Sequence, residues 1–143
     1  LKYDKKTINN VASLVELHLR PHTFKMGWTD SAVRRYIVDA GEVLEDLNNL
    51  VRADVTTKNK QKAQDIFEKL DEMETRIKEV LEKEEMSKLR PPISGDEIMS
   101  LFDLEPGPKV GVIMKALYEQ RINEGEVSKE EAIKLAKETF NNL

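Results

Sequence analysis

Apolar residues recur at spacings of three and four along almost the whole chain, and this period constrains the fold more than any other feature. It is sharpest where Ala63, Ile66, Leu70, Met73, Ile77 and Val80 line up in one seam. Such spacing puts side chains on one face of an α-helix, whereas a half-buried strand needs strict alternation. The pattern predicts a long helix from about Asn59 to Leu89. Glu74 and Lys78, Glu79 and Lys83, and Glu84 and Lys88 stand four apart, glutamate first. Each such pair adds about 0.2–0.5 kcal/mol to a helix. The seam has two readings, an arm packed on neighbouring helices or a surface for self-association, and it is short for a free-standing coiled coil.

The flanking segments carry the same period with clear stops. Val11, Leu14, Val15, Leu17 and His18 share one broad face of a segment from about Thr7 to Arg20, which Pro21 ends. A second helix starts near Thr29 or Asp30, carries Val33, Ile37 and Ala40 inward, and breaks at Gly41. Val43, Leu44, Leu47, Leu50 and Val51 make a third stripe. Pro91-Pro92 closes the long helix. Beyond it, Ser94 to Glu97 and Ser128 to Glu131 have capping-box spacing. Val110, Ile113, Met114 and Leu117 stripe one helix of this last part, and Ala132, Leu135, Ala136 and Phe140 another. No Asn-Gly or Asp-Gly hairpin signal occurs. The expectation is an all-α chain: a helical bundle (1–58), one long arm helix (59–90) and a small C-terminal helical module (91–143).

Composition bounds the chemistry. The chain has 143 residues and no cysteine, which excludes disulfides, thiol nucleophiles and thiolate-held zinc. No apolar run approaches the roughly 20 residues of a membrane span, so a soluble cytoplasmic protein is expected. The chain begins at Leu1 rather than Met, consistent with a fragment. Its net charge of −4 is uneven: residues 1–62 carry 11 Lys and Arg against 8 Asp and Glu, the remainder 12 against 19. A polyanion would be attracted to the first part and repelled by much of the second.

His18 and His22 are four apart, but Pro21 between them should end the helix, which argues against a shared metal. No Gly-rich phosphate loop, Asp-x-Asp pair or adjacent His-Asp pair occurs. The chain should therefore be catalytically inert alone. The candidate anion site is Pro106-Gly107-Pro108-Lys109, where a turn delivers the chain into a helix whose first amides lack intrahelical partners. Gly107 would let a backbone approach, Lys109 adds a charge, and Gly111 would let two helices approach. On this reading Gly107→Val should strain the turn. The other cationic candidates for an anionic backbone are Arg34, Arg35, Arg52, Lys58, Lys60 and Lys62. Removing Arg34 and Arg35 together should weaken binding of such a polyanion. Trp28 and Tyr36 could stack on an unpaired base, although packing is the commoner use of large aromatics.

Five stretches, in order, carry a resemblance. They are Leu14-Val15-Glu16-Leu17-His18-Leu19-Arg20-Pro21, Asp30-Ser31-Ala32-Val33-Arg34-Arg35, Arg52-Ala53-Asp54-Val55-Thr56-Thr57-Lys58-Asn59, Pro92-Ile93-Ser94-Gly95-Asp96-Glu97-Ile98-Met99 and Pro106-Gly107-Pro108-Lys109-Val110-Gly111. Together they resemble the helical region downstream of the catalytic head in bacterial CCA-adding tRNA nucleotidyltransferases and the related poly(A) polymerases: the end of an HD-type region, then a tail. The resemblance implies a parent enzyme that adds CCA or A to RNA 3′ ends from ATP and CTP with Mg2+, all held in a head outside these residues. This part would then dock tRNA, with that N-terminal catalytic domain as its partner, and would hold no cofactor itself. Asp54 resembles the lone late aspartate of an HD-type metal site, or else is an ion-pair partner of Arg52. Two alternatives stay open: a helix–hairpin–helix DNA-binding module, disfavoured by Pro108 in the turn, and a purely structural helical interaction domain.

Overall fold

A computed structural model of the chain describes residues 2–84 and 90–143, apart from the side chains of residues 25 and 26. Among the described residues there are seven α-helices and no strand: α1 Lys5–Leu17, α2 Asp30–Ala40, α3 Leu44–Ala53, α4 Lys60–Glu84, α5 Gly95–Phe102, α6 Pro108–Glu124 and α7 Lys129–Asn141. Short 3-10 turns, Arg20–Met26 and Gly41–Val43, join the first three. The chain is all-α, as its period requires. It divides into two compact units, Leu1–Val80 and Leu81–Leu143. The expected continuation of the long helix to Leu89, with the Glu84–Lys88 pair, lies partly outside the described residues.

Helix starts in the first unit follow local chemistry. The Asp4 side chain accepts from the Thr7 amide at 2.6 Å, and the Thr29 hydroxyl accepts from the Ala32 amide at 3.2 Å. Gly41 ends α2 at φ 54, a backbone region that side-chain-bearing residues rarely enter. The buried residues are Leu17, Phe24, Val33, Tyr36, Ile37, Ala40, Val43, Leu47 and Val51, joined from α4 by Leu70, Met73, Ile77 and Val80. This decides between the two readings of the long seam. Its central and C-terminal residues are covered within the chain, leaving only Ala63 and Ile66 partly open at the N-terminal end. Self-association through the whole seam is therefore corrected to packing of α4 on its own neighbours.

The expected apolar face of α1 is corrected as well. The helix lies against α2 and α3. Leu17 is buried and Leu14 half-buried, but Val11 and Val15 are 53% and 62% exposed.

The second unit packs α5, α6 and α7 around Ile93, Ile98, Ile113, Leu117, Ala132 and Ala136. The two alanines let α7 come close to its neighbours, and Phe102 stacks on Phe140 with centroids 4.6 Å apart. Both halves of the capping box at α5 are made: the Glu97 amide donates to Ser94 Oγ at 3.2 Å, and the Ser94 amide to Glu97 Oε2 at 2.9 Å. Lys129 at the start of α7 also donates to Glu97 Oε1 at 3.3 Å, tying two helix starts together.

The Ser94 amide, and after it Lys129, hold the Glu97 carboxyl below its ordinary pKa. A carboxyl with a depressed folded-state pKa stabilises above the unfolded-state value and loses that contribution as pH falls through the folded one. The difference in urea midpoint between the parent chain and Glu97→Ala should therefore be flat at neutral pH. It should shrink once pH drops below the ordinary value of 4.5. A difference unchanged under acid would mean that the Glu97 charge contributes nothing.

Candidate functional site

Cationic side chains separate into those held by the fold and those it leaves exposed. Arg52, at the C-terminal end of α3, is held. Its Nε donates to Glu74 Oε1 at 3.0 Å and its Nη2 to Glu74 Oε2 at 2.8 Å, a bidentate fork, and Nη2 also reaches Asp71 at 2.5 Å. The hydrogen bond that Arg52 donates to Glu74 raises the pKa of the guanidinium still further. Arg52 is thus a clamp between α3 and α4 rather than an open phosphate ligand. Glu74 is committed to it, and the Glu74–Lys78 helix pair read from spacing is superseded. Because the Arg52 side chain is 28% exposed, solvent screens part of the interaction. Arg52→Ala should destabilise the first unit by about 1 kcal/mol, and Arg52→Lys should recover less than half, since an ammonium cannot reproduce the fork. Equal stability of the arginine and lysine forms in urea would show that the fork geometry is unimportant.

Arg76 acts similarly, donating to Asp30 Oδ1 at 2.7 Å and the Trp28 carbonyl at 3.1 Å. Arg34 is 6% exposed, so a phosphate in solvent meets little of it. This is a correction: the packed face of α2 takes Arg34 inward beside Val33. Arg35 is half-buried and already engaged within the chain. The pair is no longer an open arginine patch, and a double alanine variant would perturb α2 packing as well as charge. Tyr36 is fully buried, donates to Asn48 Oδ1 at 3.0 Å and has its phenol pKa pushed up by burial. Trp28 sits between Phe24 and Tyr36, with centroids 5.5 and 5.2 Å away, and its Nε1 donates to Thr23. Neither ring is a free stacking platform.

Lys58, Lys60 and Lys62 remain exposed around the N-terminus of α4. No carboxylate among the described residues pairs with them. Asn59 Oδ1 accepts from the Gln61 and Lys62 amides at 3.0 and 3.2 Å, and the Asn59 carbonyl accepts from Ala63. The first-turn amides are therefore already capped, and the three lysines act as point charges on a rigid helix start. A groove in the same unit, lined by Glu68, Asp71 and Glu72 along with Lys69 and Arg76, is net acidic and ill suited to a phosphate backbone.

In the second unit, Gly107 is the N-cap of α6 and supplies no side-chain cap; Pro108 follows, and Lys109 is exposed. Gly107 has φ 169, extended backbone open to any residue, and an added Cβ would meet only the Glu105 carbonyl oxygen at 3.9 Å. The expected strain in Gly107→Val is therefore corrected: that variant should fold. Gly111 faces open space, so it serves no helix–helix approach within this chain.

Asp54 ends α3, exposed, with its amide donating to the Leu50 carbonyl at 2.9 Å; it does not pair with Arg52. Among the described residues no group of three or more His, Asp and Glu is placed to hold a metal ion. Asp54 could be at most one ligand of a site completed elsewhere. His18 Nδ1 lies 2.5 Å from the Val15 carbonyl and His22 falls in the 3-10 turn, so the two share no helical face.

A family profile described as tRNA nucleotidyltransferase domain 2 matches residues 1–136. The chain belongs to the tRNA nucleotidyltransferase family. It is similar to a CC-adding tRNA nucleotidyltransferase of Thermus thermophilus, 34% identical over 134 residues, which cover 92% of this chain and 28% of the relative. It is also similar to an A-adding tRNA nucleotidyltransferase of Deinococcus radiodurans, 32% identical over 123 residues, covering 85% of this chain and 27% of the relative. The chain thus spans little more than a quarter of the length of these tRNA nucleotidyltransferases. No solved structure gives a significant match. Among the described residues, no helix is long and apolar enough to cross a membrane.

The sequence offered arginines and lysines alike, and of these the exposed charge belongs to the lysines. The signal for this was present: Arg34 adjoins a core valine, and Arg52 adjoins Val51 at the end of an apolar stripe.

Proposed function

We propose that this chain is a tRNA-holding helical part of a nucleotidyltransferase that extends RNA 3′ ends, with nucleotide chemistry carried out by residues outside it. The observation that carries the reading is the family match over residues 1–136. Lys58, Lys60 and Lys62 supply one cationic surface. Lys109 beside the uncapped start of α6 supplies another. Both act on phosphates, so they position an RNA without reading its sequence.

The choice of nucleotide lies elsewhere on this reading. One stretch is shared at nearly equal identity with a CC-adding and an A-adding relative, which supports a role common to both reactions. ATP, CTP and Mg2+ belong to the catalytic part of the parent, and that part is the second partner of this chain.

The test is binding of the 143-residue chain to tRNA across a salt series, with duplex DNA as comparison, and an incorporation assay with ATP, CTP and Mg2+. Binding should weaken steeply as salt rises, by counterion release, and the chain alone should incorporate nothing. Equal affinity for duplex DNA would favour a helix–hairpin–helix reading. Absence of binding to either would favour a structural domain, and unaided incorporation would overturn the proposal.

A further inference from the structure

Helix α1 is apolar on two opposite sides, and only one is covered. At about 100° per residue, Ile8 and Val15 lie roughly 160–180° around the helix from buried Leu17, with Val11 beside them. Ile8, Val11 and Val15 are 55%, 53% and 62% exposed, and Leu19 in the turn that follows is 62% exposed. Scattered apolar residues on a surface are ordinary. These three are not scattered: they repeat at i, i+3 and i+7, the signature of a buried helix face. All three are β-branched, so each also lowers helix propensity relative to an unbranched residue. A helix with an apolar stripe on each of two sides can pack on both, and this chain covers only one of them.

We infer that the Ile8–Val11–Val15 stripe is the seat of an apolar face from the same polypeptide, outside these 143 residues. The matched stretch makes up only 28% and 27% of its curated relatives, so a parent of their size has ample chain to supply it. Size argues against a second copy. A stable interface between separate molecules takes about 20–30 residues a side, far more than four side chains on one helix and its turn. A covalently attached partner acts at high effective concentration and can use a patch this small. The inference rests on family membership and not on RNA binding, so a chain that fails to hold tRNA leaves it standing.

These 143 residues contain no cysteine, and any cysteine elsewhere in the longer polypeptide is first replaced by serine. Val15→Cys, and separately Glu138→Cys at an exposed position of α7 as reference, are labelled with a maleimide in the 143-residue chain and in the longer polypeptide that contains it. Relative to the reference, Val15→Cys should react rapidly in the short chain. It should react at least about tenfold more slowly in the long one, as a group reached only by local opening. An unchanged ratio overturns the inference. So does protection already present in the short chain together with a dimeric mass, which would assign the stripe to a second copy. A reading frame coding for nothing beyond these residues would overturn it as well.

Discussion

Arg121→Ala is expected to destabilise the second unit by about 3–5 kcal/mol, the usual result of breaking a buried ion pair from one side. Arg121 is one of two buried charged residues among those described, at 6% exposure. Its Nη1 donates to Glu84 Oε2 at 3.3 Å, and the two side chains are 7% and 11% exposed. The pair sits under little solvent, so screening does not reduce it as it reduces the Arg52 clamp. Alanine removes the guanidinium and its packing while leaving Glu84 charged in a poorly hydrated place.

Arg121→Met, which keeps most of the volume, should lose nearly as much. Pairing Arg121→Met with Glu84→Leu should recover much of the loss, because two apolar groups of similar size no longer require hydration. A double-mutant cycle in urea isolates the pair, with the coupling appearing as the non-additive part. A loss under about 1 kcal/mol for Arg121→Ala would place the pair in effective contact with water, as at a surface.

The sequence reported what lies along one helix much better than what lies across two. Thr29, Ser94 and Ser128 gave helix starts because a cap acts over three residues. Gly41 gave an end because only a residue without a side chain turns there easily. The seam from Leu70 to Val80 gave a buried face. Arg52 pairs with a carboxylate 22 residues later and Arg121 with one 37 residues earlier, separations at which periodicity says nothing about partners.

One faint signal for the second pair existed. Arg121 stands four residues beyond Leu117 and eight beyond Ile113, so it continues the buried face of α6, where an unpartnered charge would be costly. The face of α1 failed for a different reason. Val11, Leu14, Val15 and Leu17 form a stripe too broad for one layer, and the pattern alone cannot say which side this chain covers. For the candidate site, spacing found Lys58, Lys60 and Lys62 together with the arginines. Separating them required burial: arginine, with its weakly hydrated planar fork, was drawn into the fold while lysine stayed in solvent.

That separation gives the prediction with the largest expected effect on binding. Replacing Lys58, Lys60 and Lys62 with alanine should leave helicity and stability nearly unchanged, since all three are exposed and Asn59 still caps α4. Its effect should appear in tRNA affinity and in how that affinity depends on salt. If each lysine neutralises one phosphate, the logarithmic salt slope should become shallower by about 2–3, from roughly 0.7–0.9 per contact. Over a rise from about 50 to 200 mM salt, three full contacts correspond to roughly 40-fold in affinity, so the parent chain should lose about that much more than the variant. Arg52→Ala should leave the slope alone while lowering the urea midpoint, because its guanidinium is committed to Glu74 and Asp71. An unchanged slope in the triple variant would remove the α4 start from the RNA surface and leave Lys109 and the start of α6 as the place to look.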